Sequence, residues 1–194
     1  MKRSTALIKF SALALACALP FAASAADGIS YNYVQGGYTR INSDANADGW
    51  AIDGSTAVTP NFHVFGGYNS AKTDNSGLGR IKLDQWKLGA GYNRAISAKT
   101  DFVGTLAYQK AEASLGGYSV NNDGYAAEAG VRAALTPMLE GYAMAGYEDG
   151  NESSGDAYGR LGAQVKFTKN WGVATDVKFA SGDTQWFIGP RLTW

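Results

Sequence analysis

The 194-residue chain is short of the residues on which most zinc-bound and disulfide-stapled proteins depend, with one Cys, one His and four Pro. A lone His and a lone Cys exclude His/Cys zinc clusters and a disulfide framework, leaving only oxygen-rich metal sites open. Charge of either sign is not in excess, since 17 Lys+Arg stand against 17 Asp+Glu, and no Lys/Arg block occurs. Nucleic acid is therefore excluded as a main partner. Beyond residue 25 there is no apolar run of about 18 residues and no sustained helical period, so membrane-spanning helices and helix bundles fall away. What is plentiful is Gly, at 25, and aromatic residues, with 11 Tyr, 8 Phe and 5 Trp. Both suit strands and turns, and the length suits one domain.

Met1 to Ala25 has the three parts of a secretory leader. Lys2 and Arg3 form the positive start, Phe10 to Leu19 the apolar stretch, and Ala23-Ser24-Ala25 the small-residue cleavage site. The apolar stretch is too short to cross a bilayer as a helix. Cleavage after Ala25 leaves residues 26–194 as the mature domain. It removes Lys2, Arg3 and Lys9 but no acid, so the mature charge becomes slightly negative. Cys17 leaves with the leader, and the exported chain holds together without disulfides. Lipid attachment at Cys17 is the alternative, against which stands Ala14 where a Leu is usual.

Alternation with period two recurs along the mature domain. Trp50, Ile52, Gly54, Thr56 and Val58 share one face, with Ala51, Asp53, Ser55 and Ala57 on the other. Tyr125 to Leu135, Gly159 to Phe167 and Trp171 to Phe179 alternate in the same way, each over roughly the ten residues that a tilted strand needs to cross hydrocarbon. Short turns fall at Thr59-Pro60-Asn61, Ile96 to Thr100, Thr136-Pro137-Met138 and Thr168-Lys169-Asn170. Longer polar stretches intervene at Ile41 to Asp48, Thr73 to Arg80, Glu112 to Asn122 and Asp149 to Asp156, with a brief one at Ser181 to Thr184. Short turns on one side and longer loops on the other predict an all-β, transmembrane, up-and-down antiparallel β-barrel. The connections count to ten strands with both termini on the periplasmic side; eight strands is the alternative.

Trp186, Ile188, Pro190, Leu192 and Trp194 alternate to the last residue, the form of closing strand that barrel-assembly machinery reads. Tyr38, Tyr68 and Tyr147 end strands heading outward, while Phe62, Tyr92, Phe102, Phe167 and Trp171 flank the turns, which predicts two interfacial girdles. Repeated Gly-Tyr pairs ease packing and curvature in a small barrel and imply no cofactor.

With the apolar face outward, Asp53, Lys87, Glu128, Arg132, Glu140, Arg160, Lys166, Asp176, Lys178 and Arg191 point into the lumen. Mixed charges in so narrow a lumen make a plug more readily than a pore. His63, the one general base of moderate pKa, has no Ser or Asp beside it in sequence and reads as a hydrogen-bonded histidine rather than a catalytic one. Asp44, Asn46 and Asp48, followed by Gly49, match the first half of a calcium loop, but Ser55 stands where a bidentate Glu belongs, so the match is a weak metal candidate. Asp149, Glu152 and Asp156 add acidity to the outer rim, suited to divalent bridging with lipopolysaccharide or to plain solvation.

Several stretches resemble one family: Ser30-Tyr31-Asn32-Tyr33-Val34, Pro60 to Asn69, Leu139-Glu140-Gly141-Tyr142-Ala143, Gly159 to Phe167 and the Gly189-Pro190-Arg191 ending. It is the family of small outer-membrane barrels known as sulfation-dependent quorum factors, or activators of plant immunity, in xanthomonad-type bacteria. The resemblance implies an outer-membrane protein also released in vesicles, with roles in quorum sensing and virulence. It also implies a sulfated tyrosine near the N-terminus, at the position of Tyr31. The residues themselves place Tyr31 within the first strand near the periplasmic interface, where a sulfate is costly. The expectation is a monomeric, non-enzymatic barrel whose partners are outer-membrane lipids, lipopolysaccharide and, through the strand ending at Trp194, the assembly machinery. A secreted signal or signal precursor, a narrow pore and a barrel enzyme are the competing readings.

Overall fold

A computed structural model describes residues 25–44, 46–74, 79–151 and 153–194. Apart from Ala25, the leader lies outside the described residues. Ten strands follow in order: β1 (Tyr33–Asn42), β2 (Ala47–Ala57), β3 (Phe62–Thr73), β4 (Lys82–Ser97), β5 (Thr100–Leu115), β6 (Tyr118–Ala134), β7 (Leu139–Gly150), β8 (Ser153–Lys166), β9 (Trp171–Ala180) and β10 (Asp183–Thr193). Each pairs antiparallel with its sequence neighbour, and β1 closes on β10 from Tyr33↔Thr193 to Asn42↔Thr184. Closure leaves no open edge, and the eight-strand alternative falls.

Three turns at the end bearing the termini are built alike. The Thr59 hydroxyl accepts from the backbone N–H of Asn61 and Phe62, that of Thr136 from Met138 and Leu139, and that of Thr168 from Asn170 and Trp171. One Thr side chain thus closes each four-residue connection by satisfying the donors that the reversing backbone leaves free.

At the far end the connections are shorter than the polar stretches suggested. Glu112 to Asn122 is strand rather than loop: β5 and β6 stay paired to Leu115↔Tyr118 around Gly116-Gly117. Both glycines have positive φ, 57° and 92°, as a tight hairpin turn requires. Asp149 to Asp156 is likewise taken up by β7 and β8, apart from residues 151–152. The error has a physical cause. A hairpin that projects past lipid has water on both faces, so its ladder persists without apolar alternation. Ser119, expected in a loop, lies in β6 with its hydroxyl 2.9 Å from that of Ser114.

Burial is inverted relative to a water-soluble protein. The largest fully buried side chains are Glu140, Asn93, Thr39 and Asp101, while Trp50, Ile52, Leu88, Leu106, Leu161 and Ile188 are exposed on the outside. Outward rings touch across strands at two levels, Trp50 with Tyr68 and Trp86 with Tyr108 at one, Phe62 with Tyr92 at the other. These levels match the two expected girdles. Between them the outward face is an apolar band, and the polar core is the lumen.

Candidate functional site

The lumen is where the chain concentrates its chemistry. All ten expected charged residues face it, and they meet in layers. Nearest the termini, Arg132 Nε lies 2.5 Å from Glu140 Oε1, and Lys166 Nζ lies 3.2 Å from the other carboxylate oxygen. Arg191 donates to Gln35 (2.7 Å) and Gln164 (3.2 Å) and lies over the Tyr33 ring. In the middle, Arg160 bridges Asp176 (2.8 Å) and Glu128 (3.5 Å), Tyr142 donates to Asp176, and Lys87 pairs with Asp53 at 3.1 Å. Farthest from the termini, Lys178 pairs with Glu148 at 2.6 Å and sits over the Tyr158 ring. Desolvated charges need partners of this kind, and here each cation named finds a carboxylate or amide oxygen.

Glycines make room for this packing. A Cβ on Gly162 would lie 2.2 Å from the Tyr142 ring opposite it, whereas one on Gly159, which faces outward, would meet nothing within 4 Å. Gly162→Val is therefore expected to push Tyr142 off Asp176 and cost about 1–3 kcal/mol, with Gly159→Val nearly neutral. Urea unfolding in detergent, followed by tryptophan fluorescence, measures both.

The N-terminal segment fills the mouth at the termini end. β1 starts only at Tyr33, opposite the last residue of β10, so Tyr31 does not lie in the first strand as expected. Residues 25–31 leave the sheet beyond Asn32, whose carbonyl accepts from the Trp194 N–H and whose side chain accepts from the Ala57 N–H. They turn inward, with Gly28 at φ 85°, and Ala26, Ile29 and Tyr31 pack against Ala57, Val103 and Ala134. Tyr31 is 3% exposed and donates to Asp101 Oδ2 at 3.0 Å. Its ring stacks on His63 at 4.5 Å, with the Arg132 guanidinium 4.8 Å from its centroid. Burial pushes its phenol well above the usual tyrosine range, opposed in part by the Arg132 charge. Ala26 N–H donates to Asp101 Oδ1 at 3.0 Å, Asp27 N–H to Ala98 at 2.9 Å, and Lys166 to the Gly28 carbonyl. Above this plug, toward the far end, the lumen widens into a cavity of about 400 Å³ whose wall carries amides such as Gln109 and Gln185 together with charged side chains such as Glu148, Asp176 and Lys178.

His63 is buried between Tyr31 and Asn93, with Nδ1 3.3 Å from Asn93 Oδ1. Among the described residues no hydroxyl or carboxylate lies within hydrogen-bond distance of its ring, so no nucleophile–base pair is assembled. Asp44 and Asn46 sit in the β1–β2 connection on either side of residue 45, which lies outside the described residues. Asp48 is already in β2, exposed and in register with Arg40. Among the described residues no three His, Cys, Asp or Glu side chains gather as metal ligands. Asp149 is exposed, Asp156 half-buried, and Glu152 lies outside the described residues.

Among the lumenal acids that escaped the sequence reading are Asp101 and Glu148. Parity held the signal for both. Asp101 alternates with outward Phe102, and Glu148 shares the even parity of Glu140 along β7.

Neither a comparison with family models nor one with curated proteins finds a match. Solved structures do match. The translocator domain of the autotransporter NalP from Neisseria meningitidis aligns over 87% of this chain and 90% of that one, with TM-score 0.52 and 11% identity. The KdgM porin aligns over 83% of this chain and 99% of that one, with TM-score 0.46 and 13% identity. Ail, the attachment invasion locus protein of Yersinia pestis, aligns over 86% of this chain and 100% of that one, with TM-score 0.43 and 16% identity. The fold is that of a transmembrane β-barrel. At these identities the likeness extends to fold and no further, so what this barrel does has to come from its own lumen and rim.

Proposed function

We propose that residues 26–194 sit in the outer membrane as a monomeric, non-enzymatic and non-conducting barrel whose working surface is the far rim. One observation carries this reading: the lumen is closed at the termini end and open at the other. The tucked residues 25–31 and the Arg132–Glu140–Lys166 cluster fill the closed end. The open end holds the polar, charge-lined cavity and the extended β5–β6 hairpin. An open cup with a projecting hairpin suits contact with the surroundings rather than transport.

Outer-membrane lipids would surround the apolar band, and lipopolysaccharide would meet the rim. The strand ending at Trp194 would deliver the chain to the assembly machinery. An envelope and surface-interaction role of this kind agrees with the quorum and virulence functions of the family that the sequence resembles. Sulfation of Tyr31 fits the folded barrel poorly, because its hydroxyl is buried against Asp101; a sulfated signal would have to be made before the segment tucks in.

Planar-bilayer recording on protein purified from the outer-membrane fraction tests the reading. The expected result is no discrete conductance steps. Reproducible unitary steps from the wild type would replace the closed cup with a pore.

A further inference from the structure

Asp101 is 0% exposed, yet its two hydrogen-bond partners, the Tyr31 hydroxyl and the Ala26 N–H, are both neutral in the intact chain. Arg132 stands opposite it in register, but that guanidinium is turned to Glu140. Among the described residues no cation lies within 4 Å of Asp101. A carboxylate this deep is costly without a countercharge. The residue whose nitrogen it holds, Ala26, is the one that leader cleavage would make the first of the mature chain.

We propose that leader removal creates the anchor of the plug: the new α-ammonium of Ala26 forms a buried ion pair with Asp101. The inference rests on cleavage after Ala25. Hydrolysis breaks the Ala25–Ala26 peptide bond with one water, leaving a carboxylate on the leader and an ammonium on Ala26. Where the amide offers one neutral N–H, the ammonium offers three donors and a full charge, 3.0 Å from Oδ1. The uncleaved chain lacks that charge at Ala26. Processing thus adds a full charge to a contact that the neutral amide already makes, and strengthens the hold of Asp101 on the plug.

The test uses the exported protein. Its intact mass identifies the first residue, and brief native labelling with an amine-acetylating reagent compares the Ala26 amine with exposed Lys169 by peptide mass spectrometry. The Ala26 amine is expected to label at least about ten-fold more slowly than Lys169, and Asp101→Asn is expected to abolish that protection. Should Asp101→Asn fail to assemble, a Gly-Ser insertion between Ala25 and Ala26 moves the amine two residues away and leaves Asp101 intact. It too is expected to restore fast labelling. A first residue other than Ala26 overturns both the cleavage reading and the proposal. A chain that begins at Ala26 and labels as fast as Lys169 overturns the proposal alone, and so does protection that survives the Gly-Ser insertion.

Discussion

Glu140→Ala is expected to destabilise the barrel by about 3–5 kcal/mol, the cost typical of removing one partner from a buried ion pair. The Arg132 side chain is 9% exposed and that of Glu140 2%, so water cannot take over the role of the lost carboxylate without rearrangement. The change also removes the countercharge of Lys166, which among the described residues keeps only the Gly28 carbonyl. It also loosens the plug, since Arg132 lies over the Tyr31 ring. The measurement is the urea midpoint in detergent, supported by loss of the compact band on an unheated gel. Arg132→Ala combined with Glu140→Ala is expected to cost less than the sum of the single changes, because no guanidinium is then left unpaired. A cost for Glu140→Ala below about 1 kcal/mol would show that water reaches Arg132 and that the lumen is open at this depth.

The second large effect belongs to the outer face. Ala129 points outward in the middle of β6, in register with Gly104 and Ala145, between Tyr125 at one girdle and Leu135 at the other end of the face. Ala129→Arg therefore places a guanidinium near mid-membrane and is expected to cost about 2–4 kcal/mol. Ser119→Arg, on the projecting hairpin, is expected to stay within about 0.5 kcal/mol. Refolding into lipid vesicles across a urea series gives both values. The contrast matters more than either number, because only a lipid-facing band tells the two exposed sites apart. Equal tolerance at both would mean that no hydrocarbon surrounds Ala129.

The inward charges were legible because a strand has a strict period of two, and one correctly placed residue assigns the whole face. Trp50 and Ile52 outward put Asp53 inward; Val131 outward put Arg132 inward. Which charges would pair was not legible. Arg160 meets Asp176 from the adjacent β9 and Glu128 from β6, two strands away, and only barrel curvature brings those three together. The loops were misread for a related reason. Polar composition marks contact with water, and a hairpin that has left the membrane is as wet as a loop.

By itself the sequence determined the class, the facing of the strands that alternate, the position of the short turns and the polar lumen, since each follows from local alternation or turn composition. Tertiary structure alone decided that residues 25–31 turn inward rather than extend β1. That outcome depends on β10 ending opposite Tyr33, on the space Gly91 leaves beside His63, and on Asp101 meeting Ala26 and Tyr31 from some 70 residues away in sequence. No local pattern encodes a contact of that range; it appears when the sheet closes and the two sides of the mouth come within hydrogen-bond distance.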